Sequence, residues 1–262
     1  MTSFWAKFHL AFLHVLIACS ACILWPCISD AAPEAHFISR LNGGPGCSSV
    51  GGGAFTEIGP FRPHLGGRRL ALNPYSWNKG ALLYSPSGVG FSYSKTNDTY
   101  GKPDDTKTAR QNLAFLLAWL QKYPEYQVSD LFLTGESYAG HYIPQLSDLI
   151  MNYNRNPIHN FSLNLRAIAI GNPLLNYGLD TNATYSFLWS RGVISDETYE
   201  GIKTLCEFSH GYPANEDSLD MMGRYLTYAT VRGASHMVPY SNPRQALVLF
   251  DAFVRGAQLP SQ

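Results

Sequence analysis

Residues 130–153 constrain this chain more than any other stretch. Asp-Leu-Phe-Leu-Thr leads into Gly135, Glu136, Ser137, Tyr138, Ala139 and Gly140, and apolar residues at helical spacing follow at Ile143, Leu146, Leu149, Ile150 and Tyr153. An apolar strand at 131–134 that turns through small residues into a helix, with one serine at the turn, has the form of a nucleophile elbow. The serine's neighbours must be small because strand and helix approach closely there, and Gly135 and Ala139 meet that need. The competing reading is a serine that caps an ordinary strand-to-helix turn.

The flanking sequence supplies the elements such a turn needs. One short strand, carried by Phe37, Ile38 and Leu41, precedes a glycine-rich run from Asn42 and Gly43 through Gly44, Pro45, Gly46 and Cys47 to Gly51, Gly52 and Gly53. Pro45 and Cys47 argue for a fixed loop rather than a linker, and the run matches no phosphate-binding pattern. Its bare N–H groups suit an oxyanion. A strand is expected at 81–84, and a helix from Asp104 or Asp105 to Lys122 with Ala109, Leu113, Leu116, Leu117 and Leu120 inward, stopped by Pro124. A further strand at 165–170, two short helices over 180–206 broken at Gly192 and capped at Ser195, and a strand at 225–231 follow. The last helix is expected to start at Asn242 and Pro243, pack Ala246, Phe250 and Phe253, and stop at Gly256. This β/α alternation predicts an α/β fold with a mostly parallel sheet covered by helices on both faces.

Lysine plus arginine equals aspartate plus glutamate at 19 each, with no block of like charge, so nucleic acid is not an expected partner. Residues 1–31 read as a secretory signal: Lys7, an apolar run over 10–24, then Ser29, Asp30 and Ala31 as a small-x-small cleavage site. The run is too short to span a bilayer comfortably, so no membrane association is expected after cleavage, with an uncleaved anchor as the alternative. Cys19, Cys22 and Cys27 leave with this segment, so no zinc or other metal site is read, and no cofactor. Cys47 and Cys206 remain, and whether they pair is open. Glycosylation sequons at Asn97, Asn160 and Asn182 agree with passage to the extracellular space or the vacuole.

A serine hydroxyl attacks only when a base removes its proton. Of eight histidines, His236 is best placed, in a glycine-bearing loop past a strand end and after the serine in chain order. His141 is nearer in sequence but lies on the helix after the elbow.

Five ordered blocks, at 42–49, 57–61, 88–93, 135–140 and 233–239, resemble the signature segments of plant serine carboxypeptidases. The likeness covers most of 41–206 and 225–260. It implies an α/β-hydrolase fold whose helical insertion caps the site, divided here as a core over 32–178, an insertion remnant over 179–224 and a core return over 225–262. It further implies Ser137 as nucleophile, His236 as base, the N–H groups of Gly44 and Tyr138 as oxyanion hole, and Asn42, Gly43, Glu57 and Glu136 as holders of a substrate's terminal carboxylate. Peptide or protein C-termini are then the substrates. Two ionised glutamates would repel that carboxylate, so binding should be best in acid, where they share a proton. Relatives that act as acyltransferases depart from the Asn-Gly-Gly and Gly-Glu-Ser forms, which this chain keeps at Asn42 and Glu136.

The likeness breaks at defined places. The family draws its triad acid from a Gly-Asp turn, and no Gly-Asp pair occurs here. Only 18 residues separate Cys206 from Tyr225, whereas a strand-helix-strand crossover takes roughly 30 or more. Asp217 and Asp220 stand in the right order without a strand-end turn around them. Ser39 and Arg40 stand where apolar residues belong, and Tyr84 where the family carries an acid. Cys47 and Cys206 each resemble a family cysteine whose partner falls in the missing segment. These departures make an internally shortened, catalytically impaired member the alternative to an active carboxypeptidase.

Overall fold

The computed structural model describes residues 36–78, 80–85, 89–92, 104–206 and 227–259. The signal and its cleavage site, the Asn97 sequon, and Asp217 and Asp220 lie outside the described residues.

Four parallel strands form the central sheet in the order β4-β1-β5-β6: β1 (His36–Leu41), β4 (Ala81–Tyr84), β5 (Asp130–Glu136) and β6 (Asn164–Gly171). A separate antiparallel pair, β2 (Phe61–His64) and β3 (Arg69–Leu72), falls in a stretch for which the sequence predicts no strand. Helix α1 (Asp105–Lys122) starts where its cap predicts, the Asp104 carboxylate accepting from the amides of Thr106 and Lys107. Helix α2 (Ala139–Arg155) follows the elbow directly. Strand periodicity sends Phe37, Leu41, Leu131 and Leu133 to one face, where Leu116, Leu120, Ile143, Leu146 and Ile150 of α1 and α2 cover them. Ile38, Leu82 and Phe132 point to the other face, against Ala246 and Phe250 of the last helix, α6 (Pro243–Arg255). Helices therefore cover both faces, as the alternation predicts.

Helices α3 (Tyr177–Ser190) and α4 (Asp196–Leu205) flank a turn at Gly192 (φ 68°), and the Ser195 hydroxyl accepts from Thr198 N–H. Neither helix buries a residue.

Two expectations are corrected. Residues 227–231 form no strand, and 227–230 are exposed; their β-branched and aromatic residues find no neighbouring strand, because the sheet ends at β6. Asn242 stands at the start of α6 without a side-chain cap, and a short helix, α5 (Val238–Ser241), precedes it. Ser39 and Arg40 lie in the interior of β1 and are buried, at positions where apolar residues belong.

Phe250 stacks on Trp77 with ring centroids 4.2 Å apart. Replacing Phe250 by alanine should therefore lower unfolding free energy in urea by about 3–5 kcal/mol. The same change at exposed Tyr228 should move it by less than about 0.5 kcal/mol; equal effects would contradict the assigned packing of α6.

Candidate active site

Parallel pairing of β1 with β5 sets Leu41 opposite Gly135, so both chains leave the sheet side by side, one into the glycine loop and the other into the elbow. Ser137 has φ 60°, a left-handed conformation uncommon for a residue with a side chain. The strained turn is held from three sides. Ser137 N–H donates to the Gly171 carbonyl at 3.0 Å, and the Ser137 carbonyl accepts from Gly140 and Leu174 N–H, each at 2.9 Å. A Cβ on Gly135 would lie 2.6 Å from the Ala139 Cβ, the crowding that small residues around the serine predict.

The glycine loop lies on this turn. A Cβ at Gly43 would overlap the Tyr138 amide nitrogen and come within 2.7 Å of the Glu136 carbonyl. Beyond the loop, Ser49–Glu57 winds into a π-helix capped by the Ser48 hydroxyl, a form not foreseen for the triple glycine. Its Gly53 presses so closely on Asn42 that a Cβ would come 2.6 Å from Oδ1. This winding delivers Glu57 to the end of β1.

There a buried polar cluster forms. Asn42 Nδ2 donates to Glu57 Oε1 at 2.7 Å. The Arg40 guanidinium reaches Glu57 Oε2 at 2.7 Å and Glu136 Oε2 at 3.3 Å from the same Nη2. Arg40, Glu57 and Glu136 are only 2%, 1% and 6% exposed. Burial, then repulsion from Glu57, pushes the Glu136 carboxyl up to about 7, against the pull of Arg40 and reinforced by a hydrogen bond with Glu57. Glu136 therefore holds its proton to higher pH than an ordinary glutamate. Burial likewise raises the Tyr84 hydroxyl, which stays neutral beside Arg40 and Glu57. Arg40 is the participant that sequence reasoning missed. The signal was its place inside an apolar strand, which only a buried partner makes tolerable.

His236 is exposed, and among the described residues no hydrogen bond joins it to Ser137 or to a carboxylate. Its loop is tied down nearby, with Ser235 N–H donating to Ser241 Oγ at 2.9 Å and Arg62 bridging the Glu57 and Pro239 carbonyls. His141 is buried and stacks on the Tyr138 ring. Cys47 and Cys206 are both exposed free thiols, and Asn160 and Asn182 are exposed. No group of three histidine, cysteine, aspartate or glutamate side chains among the described residues could hold a metal ion.

Comparison with known proteins matches this arrangement to one family. The family described as "Serine carboxypeptidase" matches residues 29–223 and 218–256. Serine carboxypeptidase-like 44 of Arabidopsis thaliana is 54% identical over 171 residues, covering 64% of this chain and 36% of that protein. Serine carboxypeptidase-like 34 of the same plant is 41% identical over 226 residues, covering 79% and 45%. Among solved structures, Kex1(Δ)p, a prohormone-processing carboxypeptidase of Saccharomyces cerevisiae, superposes with a TM-score of 0.58 at 28% identity over 79% of this chain and 48% of its own. The chain thus spans less than half the length of these relatives.

Because Glu136 binds its proton more tightly folded than its ordinary 4.5 allows, the stability this gives is complete below pH 4.5 and lost as pH rises through about 7. The thermal midpoint should fall between pH 5 and pH 8, and Glu136→Gln should abolish most of that fall. A wild-type chain more stable at pH 8 than at pH 5 would contradict the proton-sharing pair.

Proposed function

Since the chain belongs to the serine carboxypeptidase family, we propose that its site binds the C-terminal carboxylate of a peptide and transfers the acyl group to Ser137, with slow turnover in this shortened form. The observation that supports this most is the seating of Gly43 on the elbow, which brings loop amides, Ser137 and the Glu57–Glu136 pair to one place.

The terminal carboxylate would lie by Asn42, Gly43 and the singly protonated glutamates, which sets the last peptide bond against Ser137. Ser137 Oγ then bonds to the carbonyl carbon while His236 takes its proton. The tetrahedral oxyanion lies at the N–H groups of Gly44 and Tyr138, the latter at the start of α2, where the helix dipole favours negative charge. Collapse breaks the C–N bond as His236 returns the proton to the leaving amine, and water releases the acyl group by the same steps reversed. An acidic lumenal compartment of the secretory route, the vacuole among them, suits a pair that must hold a proton.

Turnover is slow on this reading because the base is not docked. His236 is exposed and unbonded to Ser137, and loss of an orienting acid alone lowers turnover by about 10⁴-fold. Among the described residues, the hydrogen bonds that tether the histidine loop come from α5 and Arg62. The chain, secreted from a eukaryotic host and assayed on a blocked dipeptide at pH 5 beside Ser137→Ala, should show a small excess over that control. Turnover of about 1 s⁻¹ or more would show that the base is held and oriented after all.

A further inference from the structure

Arg40 has no part in the carboxylate-binding scheme just proposed, yet it is a fully buried cation at the heart of the site. It leaves β1 on the face shared with Tyr84 and Thr134, its register partners on β4 and β5. One nitrogen of its guanidinium contacts both glutamates. The charged and titratable groups around the pair are few: Arg40 from β1, Tyr84 from β4, Glu136 from β5, Glu57 from the π-helix, and Arg62 from β2 against the Glu57 carbonyl. Tyr84 is neutral.

We propose that Arg40 is an internal counter-charge that sets the anion affinity of the Glu57–Glu136 pair, so that this site receives a carboxylate at net zero charge rather than at minus one. Two carboxyls sharing one proton carry one negative charge, and an incoming carboxylate would meet that repulsion. With Arg40 bonded to both, the singly protonated trio is neutral, and the fully ionised trio carries only the charge that an unassisted pair carries with its proton. Arg40 is a positioning residue here: at 2% exposure it does not reach the ligand, and it acts through the glutamates. The inference rests on the carboxylate reading above.

The test uses binding of N-benzoyl-phenylalanine and its amide to the Ser137→Ala chain by calorimetry, so that turnover plays no part. The wild-type pair should favour the free acid at pH 5 and lose that preference as Glu136 ionises above about pH 7. Arg40→Met should weaken free-acid binding at pH 5 by about tenfold or more with little effect on the amide. It should also move the loss of binding to higher pH, since the pair then keeps its proton longer. Arg40→Lys should restore most of the affinity. Glu57→Gln, which leaves Arg40 in its strand should Arg40→Met fail to fold, makes the ionised site neutral and should hold free-acid binding at pH 8 within about threefold of its pH 5 value. Folded Arg40→Met that binds the free acid like wild type, or Glu57→Gln that loses binding at pH 8 as wild type does, overturns the role of Arg40. Equal binding of acid and amide by the wild-type site overturns the carboxylate reading together with it.

Discussion

The parallel pairing of β1 with β5 is the constraint on which the rest depends. With Leu41 opposite Gly135, the two chains must diverge from the same sheet end, and only glycine at position 43 lets the loop lie against the elbow backbone. The strained φ of Ser137 is then fixed by hydrogen bonds to Gly171 and Leu174 beyond β6 and to the first turn of α2. Three parallel strands therefore suffice to build the Ser137 side of the site. The His236 side depends on a loop outside the sheet, tethered chiefly through Arg62 and α5.

This division underlies the proposal that the chain binds a carboxylate better than it turns a peptide over. The loop, the elbow and the glutamate pair come from residues 40–57 and 134–140, which β1 and β5 bring together directly. His236 comes from a segment that follows helices with no buried residue and lies outside the sheet. A side chain held only by loop contacts samples many positions, and proton transfer demands one.

Much of this was legible in the sequence. Cap residues fixed the starts of α1 and α4, and the small-residue turn fixed the elbow, because both are local requirements of the backbone. The illegible features are those decided at a distance. Arg40 looked like a defect in an apolar strand, since its partners lie 17 and 96 residues away. The π-helix that carries Glu57 inward depends on glycines fitting against Asn42, which no local propensity reveals. Residues 227–231 show the converse: strand-like composition does not make a strand without a neighbour to pair with.

Burial of two glutamates on one arginine is the central electrostatic claim, and the protonation of the pair is its direct consequence. A carbon-13 NMR titration of glutamate side-chain carboxyls would read it residue by residue. The account predicts that the Glu136 signal titrates near pH 7, far above the ordinary glutamate value of 4.5, and that Arg40→Lys leaves it displaced. A Glu136 signal that titrates at that ordinary value would contradict it.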